Sequence, residues 1–548
     1  MPLYPYLQEL ALTDNYRLKT FQRTQQMKMM DPFSPFSQLT TLKVERMENL
    51  QSLSEVLTSL ISLKYLSVGE CPKLKFFCDG IQHLTCLQEL QIRNCQELVD
   101  IYDDGEGNMW QALKSLRILE FSGLPRLETL PDGLQQLTSL EKLSLCRCKS
   151  LVDIPQWIHN LKSLQELHIW GSDKLTSLPK EGMRQLTSLH TLTIGDCLFY
   201  SCDEDFYRLD LQSLRILEFT NLPRLEALPA FLLQLTSLQE LRLHYCNSFV
   251  GIPERIFDNF RSLLQKLDIW DSHKFTSLPV EVMHQLTSLQ HLSIRDCPNY
   301  DGGDGNEWQA LQSLRFLHFE DLPQLETLPA GLQRVISLNK LTLDCCKSLV
   351  GIPGWIGNLK LLQDLTISGC SNSLTSLPEG MRQLTSLQEL YISHCLFYKG
   401  DGNMWQGLKS FRILWFSDLP QLETLSKGLQ QLTSLEELRL YNCNSLVGIP
   451  EWIGNLKSLR TLTIWGCSNL TSLPEGMRQL TSLQTLSIRD CPVLKQRCER
   501  ETGGEDWHKV SHIPRLYLFG AQLQPSTSSS AARGKIFKTV RRLQLCNK

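Results

Sequence analysis

Along most of this chain the apolar residues fall at fixed steps rather than in runs. A block Leu-x-x-Leu-x-(Leu/Ile/Val/Phe) starts at Leu39, Leu63, Leu87, Leu116, Leu140, Leu164, Leu189, Leu214, Leu238 and Leu264. It recurs at Leu289, Leu314, Leu338, Leu362, Leu387, Phe411, Leu435, Leu459 and Leu483, giving nineteen copies, nearly all 24 to 26 residues apart. More diverged copies start at Leu7 and Ile513. In Leu459-Arg-Thr-Leu462-Thr-Ile464-Trp-Gly-Cys467 the alternation of Leu462 and Ile464 predicts a short strand with one buried face. Leu459 and Cys467 flank that strand and turn inward as the chain bends. Counting the first Leu of a block as step 1, steps 2, 3, 5, 7 and 8 then face the opposite, concave side. Leu-Pro or Ile-Pro follows in eleven copies, from Pro131 to Pro474. Proline fixes φ and has no N–H to leave unpaired, which suits a non-strand arc. A helical turn such as Glu451 to Asn455 is expected to lead back to the next strand. No single repeat can bury its own leucines, so the repeats must stack into one continuous core behind a parallel sheet of roughly twenty strands.

This is the leucine-rich-repeat period, and it predicts an α/β solenoid, or horseshoe, with a parallel β-sheet on the concave face and irregular or short helical convex segments. A longer period lies above it. Copies with Phe at step 6 (Phe121, Phe219, Phe319, Phe416) open four blocks of four repeats, spaced 98, 100 and 97 residues apart. Tandem duplication is the simplest origin. The chain therefore divides into a diverged N-terminal repeat and loop (1–38), the array (39–495), a closing motif with a final strand (496–521), and a Ser-rich linker with a basic tail (522–548). Acidic, glycine-rich loops ending in Trp precede three of the Phe-type repeats: Asp103 to Trp110, Asp301 to Trp308 and Gly400 to Trp405. The remaining block, the second, has Asp203 to Tyr207 at that place instead. Their carboxylate spacing matches no EF-hand, so solvated loops with a Trp packed beneath them are expected rather than calcium sites.

Composition narrows the function by exclusion. With 55 Lys plus Arg against 58 Asp plus Glu, the net charge is only −3, which argues against nucleic acid as partner of the whole chain. No apolar run is long enough to span a membrane, and the first residues show no secretory leader. Nineteen cysteines include no Cys-x-x-Cys, which removes the common zinc and thioredoxin-type spacings. Twelve of them (71, 95, 148, 197, 246, 297, 346, 370, 395, 443, 467, 491) stand at step 9. A chelating cluster would not be spaced evenly along a solenoid; small, reduced, buried thiols stacked from repeat to repeat are expected. Neither a phosphate loop, nor Gly-x-Ser-x-Gly, nor His-Glu-x-x-His occurs, so no catalytic, cofactor or metal residues are assigned and no enzyme activity is expected. The tail 533–548 holds six Lys and Arg and no acid, a composition open to an anionic-surface or nuclear-targeting role but more often a solvated end.

Three features together resemble the leucine-rich-repeat region of plant intracellular nucleotide-binding disease resistance proteins of the coiled-coil class. They are the repeat Leu-x-x-Leu-x-Ile-x-x-Cys followed by Leu-Pro, as in Leu459 to Pro474; the phrase Leu-Thr-Ser-Leu-Gln-x-Leu, as in Leu384 to Leu390; and Cys498-Glu-Arg-Glu-Thr-Gly-Gly-Glu-Asp-Trp507-His-Lys-Val-Ser-His512-Ile-Pro514. In the family the last phrase closes the array and introduces a final strand. The nucleotide switch of that family, with its phosphate loop and Met-His-Asp motif, is not found, so ATP or ADP binding is not carried over. The resemblance implies a non-enzymatic, cytoplasmic protein-binding region, with a nuclear pool possible. Its partners would be a pathogen effector, a guarded host protein, or the receptor's own nucleotide-binding domain held inactive. Extracellular plant receptors favour Asn at step 9, where Cys dominates here. Ubiquitin-ligase adaptors share that Cys but not the Ile-Thr-Asp phrase after it; with an intracellular signalling scaffold they form the alternative. Aromatic residues at concave steps are the candidate partner-binding positions: Trp170, Trp270 and Trp465 at step 7, Tyr391 and Trp415 at step 5, with Tyr245 and Tyr441 nearby. Tyr391, Trp415, Tyr441 and Trp465 fall on four consecutive strands.

Overall fold

The computed structural model describes residues 7–20, 38–76, 78–98, 108–198, 211–228, 235–251, 263–303, 305, 307–370, 374–396, 402–501 and 503–519. The linker and basic tail, Pro229, Pro253, the loop 203–207 and most of the loop 103–110 lie outside these residues. The chain divides into two compact units, Met1–Phe411 and Arg412–Lys548. The division falls at the first residue of the fourth block. The first unit contains strands β1 (Glu9–Thr13), β2 (Thr41–Glu45), β3 (Tyr65–Gly69), β4 (Glu89–Arg93), β5 (Ile118–Ser122), β6 (Lys142–Cys146), β7 (Glu166–Trp170) and β8 (Thr191–Gly195). It continues with β9 (Ile216–Thr220), β10 (Glu240–His244), β11 (Lys266–Trp270), β12 (His291–Arg295), β13 (Phe316–Glu320), β14 (Lys340–Asp344), β15 (Asp364–Ser368) and β16 (Glu389–Ser393). The second unit contains β17 (Ile413–Ser417), β18 (Glu437–Tyr441), β19 (Thr461–Trp465), β20 (Thr485–Arg489) and β21 (Arg515–Phe519). Within each unit consecutive strands pair in parallel and in identical register, step 5 on step 5 and step 7 on step 7. Each unit is a leucine-rich-repeat solenoid, as the period predicts.

The expected core is the observed one. In the repeat that begins at Leu459, the side chains of Leu459, Leu462, Ile464, Cys467, Leu470 and Leu473 are all buried. Removing such side chains from water stabilises by ~1.5–3 kcal/mol each, and steps 1, 4 and 6 are buried in all nineteen regular repeats. The tryptophans that end the acidic stretches, Trp110, Trp308 and Trp405, are buried too. The outward arcs are short 3-10 turns more often than α-helical ones, for example Glu451–Asn455 behind Pro450 and Glu475–Gln479 behind Pro474. These turns stack closely: a Cβ at Gly476 would collide with the carbonyl oxygen of Glu451 in the preceding repeat.

One backbone feature escapes the sequence reading. Step 8 is left-handed in all nineteen regular repeats and in the copy that begins at Leu7, with φ between +47° at Asn221 and +68° at Gly171. This residue turns the chain from strand to arc. Only Gly enters that region without cost, with Asn and Asp next. Gly, Asp and Asn accordingly fill most of these positions, while Arg46, Glu70, Arg147, Tyr245, Cys345 and His394 carry the strain.

The second unit ends in a lock. Asp506, fully buried, accepts hydrogen bonds from the Leu473 backbone N–H at 2.9 Å and from Arg497 Nε and Nη2 at 3.2 Å. Lys509 Nζ stands 2.9 Å from the same carboxylate. Burial by itself would raise the Asp506 pKa, but these donors outweigh it and hold the carboxyl below its usual value. The short helices Pro492–Cys498 and Trp507–Val510 are thereby fixed to the last arc, and β21 pairs onto β20 as the closing phrase leads one to expect.

Candidate functional site

Alternation along each strand decides what the concave face presents: steps 4 and 6 go to the core, and steps 3, 5 and 7 stand on the open face. With identical register, the side chains at one step form a row, neighbours being ~4.8 Å apart. The character of a row therefore depends on what successive repeats place at one step.

In the second block the rows are ionic. Arg242 on β10 bonds Glu240 Oε1 at 2.9 Å and Glu218 Oε2 at 3.0 Å, and Lys266 pairs with the same Glu240. His244 Nε2 lies 3.5 Å from Asp268 Oδ2. Arg295 on β12 places Nη2 3.0 Å from both oxygens of Asp268 on β11. Burial of Asp268 would raise its pKa; the His244 and Arg295 contacts overcome that and hold it well below the usual carboxylate range. The Arg295 guanidinium lies 4.9 Å over the Trp270 ring, whose Nε1 donates to Asp296 at 2.7 Å. Tyr245 closes on Trp270 from the other side, with ring centroids 4.7 Å apart. Trp270 and Tyr245 are thus half-buried parts of an internally charge-paired network rather than open rings, although His244 Nε2 and Arg295 Nε lack a hydrogen-bond partner within it.

The fourth block carries the same plan with different occupants. Trp415 on β17, Tyr441 on β18 and Trp465 on β19 form a contiguous strip, with centroids 5.2 Å and 5.5 Å apart. Arg439 stacks 4.9 Å over Trp415 and bonds Glu437 at 2.6 Å. Arg489 on β20 lies 4.5 Å over Trp465, whose Nε1 donates to Asp490 at 2.7 Å. Trp465 is 38% exposed, and on the last strand Tyr517 and Phe519 are 46% and 51% exposed with their rings stacked. Register aligns Tyr441, Trp465, Arg489 and Phe519 at step 7 of four adjacent strands. The sequence reading named the first two but missed Arg489, Tyr517 and Phe519.

The two other candidates belong to the first unit. Trp170 ends β7 and lies flat over Gly195 of β8, where a Cβ would approach its ring carbon Cε3 to 2.6 Å. Tyr391 is half-buried on β16 of the first unit.

The twelve step-9 cysteines are buried, and the sixteen cysteines whose side chains are described are free thiols. Cys148 is typical: its Sγ–H reaches the carbonyls of Cys146 at 3.6 Å and of Phe121 in the preceding repeat at 3.7 Å. Burial pushes such thiols up, to about 11 at Cys246 and about 12 at Cys148 and Cys297. Among the described residues no group of three or more His, Cys, Asp or Glu is placed to hold a metal ion, and no helix is long and apolar enough to cross a membrane.

Comparison with known proteins fits this architecture. A family model described as "Plant disease resistance protein RPS2-like, leucine-rich repeats" matches residues 55–154, and one described as "R13L1/DRL21 LRRs" matches residues 406–491. The TMV resistance protein N of Nicotiana glutinosa is 30% identical over 314 residues, covering 56% of this chain and 23% of that protein. Disease resistance protein RPP4 of Arabidopsis thaliana is 31% identical over 245 residues, covering 43% of this chain and 19% of that protein. The chain is thus similar to the leucine-rich-repeat regions of plant disease resistance proteins. It spans less than a quarter of the length of those two relatives. Among solved structures, the Toll–Spatzle complex of Drosophila superposes with a TM-score of 0.60 at 17% identity, covering 82% of this chain and 57% of that one. That likeness concerns the fold.

Proposed function

We propose that this chain is a non-enzymatic protein-recognition region of a plant disease resistance protein, and that the concave strip of the second unit is its contact surface. The observation that carries this reading is the exposed row Trp465–Arg489–Phe519 beside Tyr441 and Tyr517 on one sheet face. Solenoids use their concave sheets as extended binding surfaces, and Trp, Tyr and Arg are the residue types most enriched at binding hot spots. The ionic rows of the second block, by contrast, pair their charges within the chain. The partner in this reading is a pathogen effector or a guarded host protein, met in the cytoplasm, and the receptor is of the coiled-coil class. Docking of the receptor's own nucleotide-binding domain would use the same chemistry.

Replacing Trp465 and Phe519 together with Ala, in a plant-cell assay with the remaining receptor domains supplied, tests the reading. Both side chains are exposed, so folding should survive. Lost effector response with a quiet resting state supports sensing, and spontaneous cell death supports autoinhibition. Wild-type behaviour in both respects would remove the strip from function.

A further inference from the structure

The duplicated blocks supply an internal comparison. Trp270 with Arg295 and Asp296 in the second block, and Trp465 with Arg489 and Asp490 in the fourth, are one module: indole Nε1 on the Asp, guanidinium over the ring. In the second block the arginine is neutralised from within, because Asp268 at step 5 of the tryptophan's own strand meets it with both oxygens at 3.0 Å. In the fourth block that position is Thr463. The carboxylate nearest to Arg489 among its described contacts is Asp490, at 3.7 Å, through the very oxygen that Trp465 Nε1 occupies at 2.7 Å. Exposure follows the difference: the Arg295 side chain is 13% exposed and that of Arg489 is 44% exposed. A second carboxylate has gone as well. Glu218, which pairs with Arg242 in the second block, is replaced by Trp415 in the fourth, while Arg439 is kept. The fourth block has thus retained two arginines and lost two acids that answered them.

We propose that Arg489, seated on Trp465, is a receptor for a carboxylate of a protein partner, an Asp or Glu that takes the place Asp268 takes on Arg295. Next to it in register, Phe519 offers an apolar ring, so the fitting segment bears an acid beside an apolar side chain. A guanidinium on an indole face is held in one plane and its N–H edges point outward, which suits bidentate carboxylate binding. The chain's own tail does not fit, since residues 533–548 contain six positive charges and no acid. This inference rests on the strip being a recognition surface and adds the chemistry of the recognised group.

The test uses the intact chain against a phage-displayed random peptide library. Selected peptides should carry an Asp or Glu adjacent to an apolar residue. A synthetic copy of the best one should bind Arg489→Gln ~10- to 100-fold more weakly, the loss expected for a charge-assisted pair. Thr463→Asp should block the same peptide by restoring the internal carboxylate, while its melting temperature stays at or above that of the wild type. Selection of peptides without acids, no selection at all, or undiminished binding by Thr463→Asp would overturn the proposal. Single-stranded RNA bound through Arg489 in place of any acidic peptide would overturn it too. If acid-free peptides bind and depend on Trp465 and Phe519, the strip remains a recognition surface and only the carboxylate receptor fails.

Discussion

Replacing Asp506 with Ala should release the end of the array without loosening the repeats behind it. The carboxylate is fully buried and receives the Leu473 N–H at 2.9 Å and the Lys509 ammonium at 2.9 Å. Lys509, 12% exposed, also donates to the Leu473 carbonyl at 2.6 Å, so Asp506 and Lys509 clamp both polar groups of one residue. Arg497, nearly a third exposed, adds little because solvent screens its charge. Leaving a buried donor unsatisfied costs ~1–3 kcal/mol, and removing the partner of a buried charge adds to that. A loss of about 2–4 kcal/mol is therefore expected, moderated because Lys509 keeps its bond to Leu473. Global unfolding is a poor probe for a long repeat array, whose transitions need not be two-state. Native-state hydrogen exchange reads the end directly: amides of β21 should exchange about 30- to 800-fold faster, with β17 and β18 unchanged. Asp506→Asn, which keeps an acceptor for Leu473, should fall between. Because the folded-state pKa is depressed, the wild type has the full contribution above the usual value of 3.8 and loses it as pH falls through the depressed one. Wild type and variant should therefore converge in acid. Unchanged exchange at β21, or uniform loosening from β17 onward, would refute the argument.

Three further outcomes follow from the same physics. Gly476→Ala should destabilise by ~1–3 kcal/mol, since its Cβ meets the Glu451 carbonyl, whereas Gly448→Ala, with nothing within 4 Å, should be neutral; native-state hydrogen exchange of the amides in the adjoining repeats reads both. Alkylation mapped by mass spectrometry on the native chain should label exposed Cys86 first and the buried step-9 thiols, such as Cys148 at about 12, only after unfolding. Acidification through the depressed Asp268 pKa should free Arg295 and loosen β11 and β12, a contribution present above the usual 3.8 and lost below the folded value; exchange at those strands at low pH measures it.

The periodic part of this molecule was open to sequence reasoning, because a core built from steps 1, 4, 6 and 9 imprints its spacing on the chain. The step-9 thiols, the buried Trp308 and the closing strand after Ile513 were legible on the same ground. The left-handed step 8 left a signal that could have been used, the crowding of Gly, Asp and Asn at that position; Arg147 and Tyr245 obscured it. The ionic network was not legible. Its partners, such as Asp268 and Arg295, are separated by a whole repeat and meet only through strand register. For the same reason a tryptophan count ranked Trp270 with Trp465, although internal acids satisfy the surroundings of the first and only the second stands in an open row. Tyr517 and Phe519 follow the last regular repeat, in a diverged copy whose concave steps the regular period does not mark.

Site-specific photo-crosslinking in plant cells tests the central claim most directly. With a photoreactive side chain at position 465 or 519 of the intact chain, a discrete protein adduct should form at both positions. A side chain at position 457, exposed on the outer arc, should give none. Adducts from position 457 alone, or equal adducts from all three, would place recognition away from the concave strip.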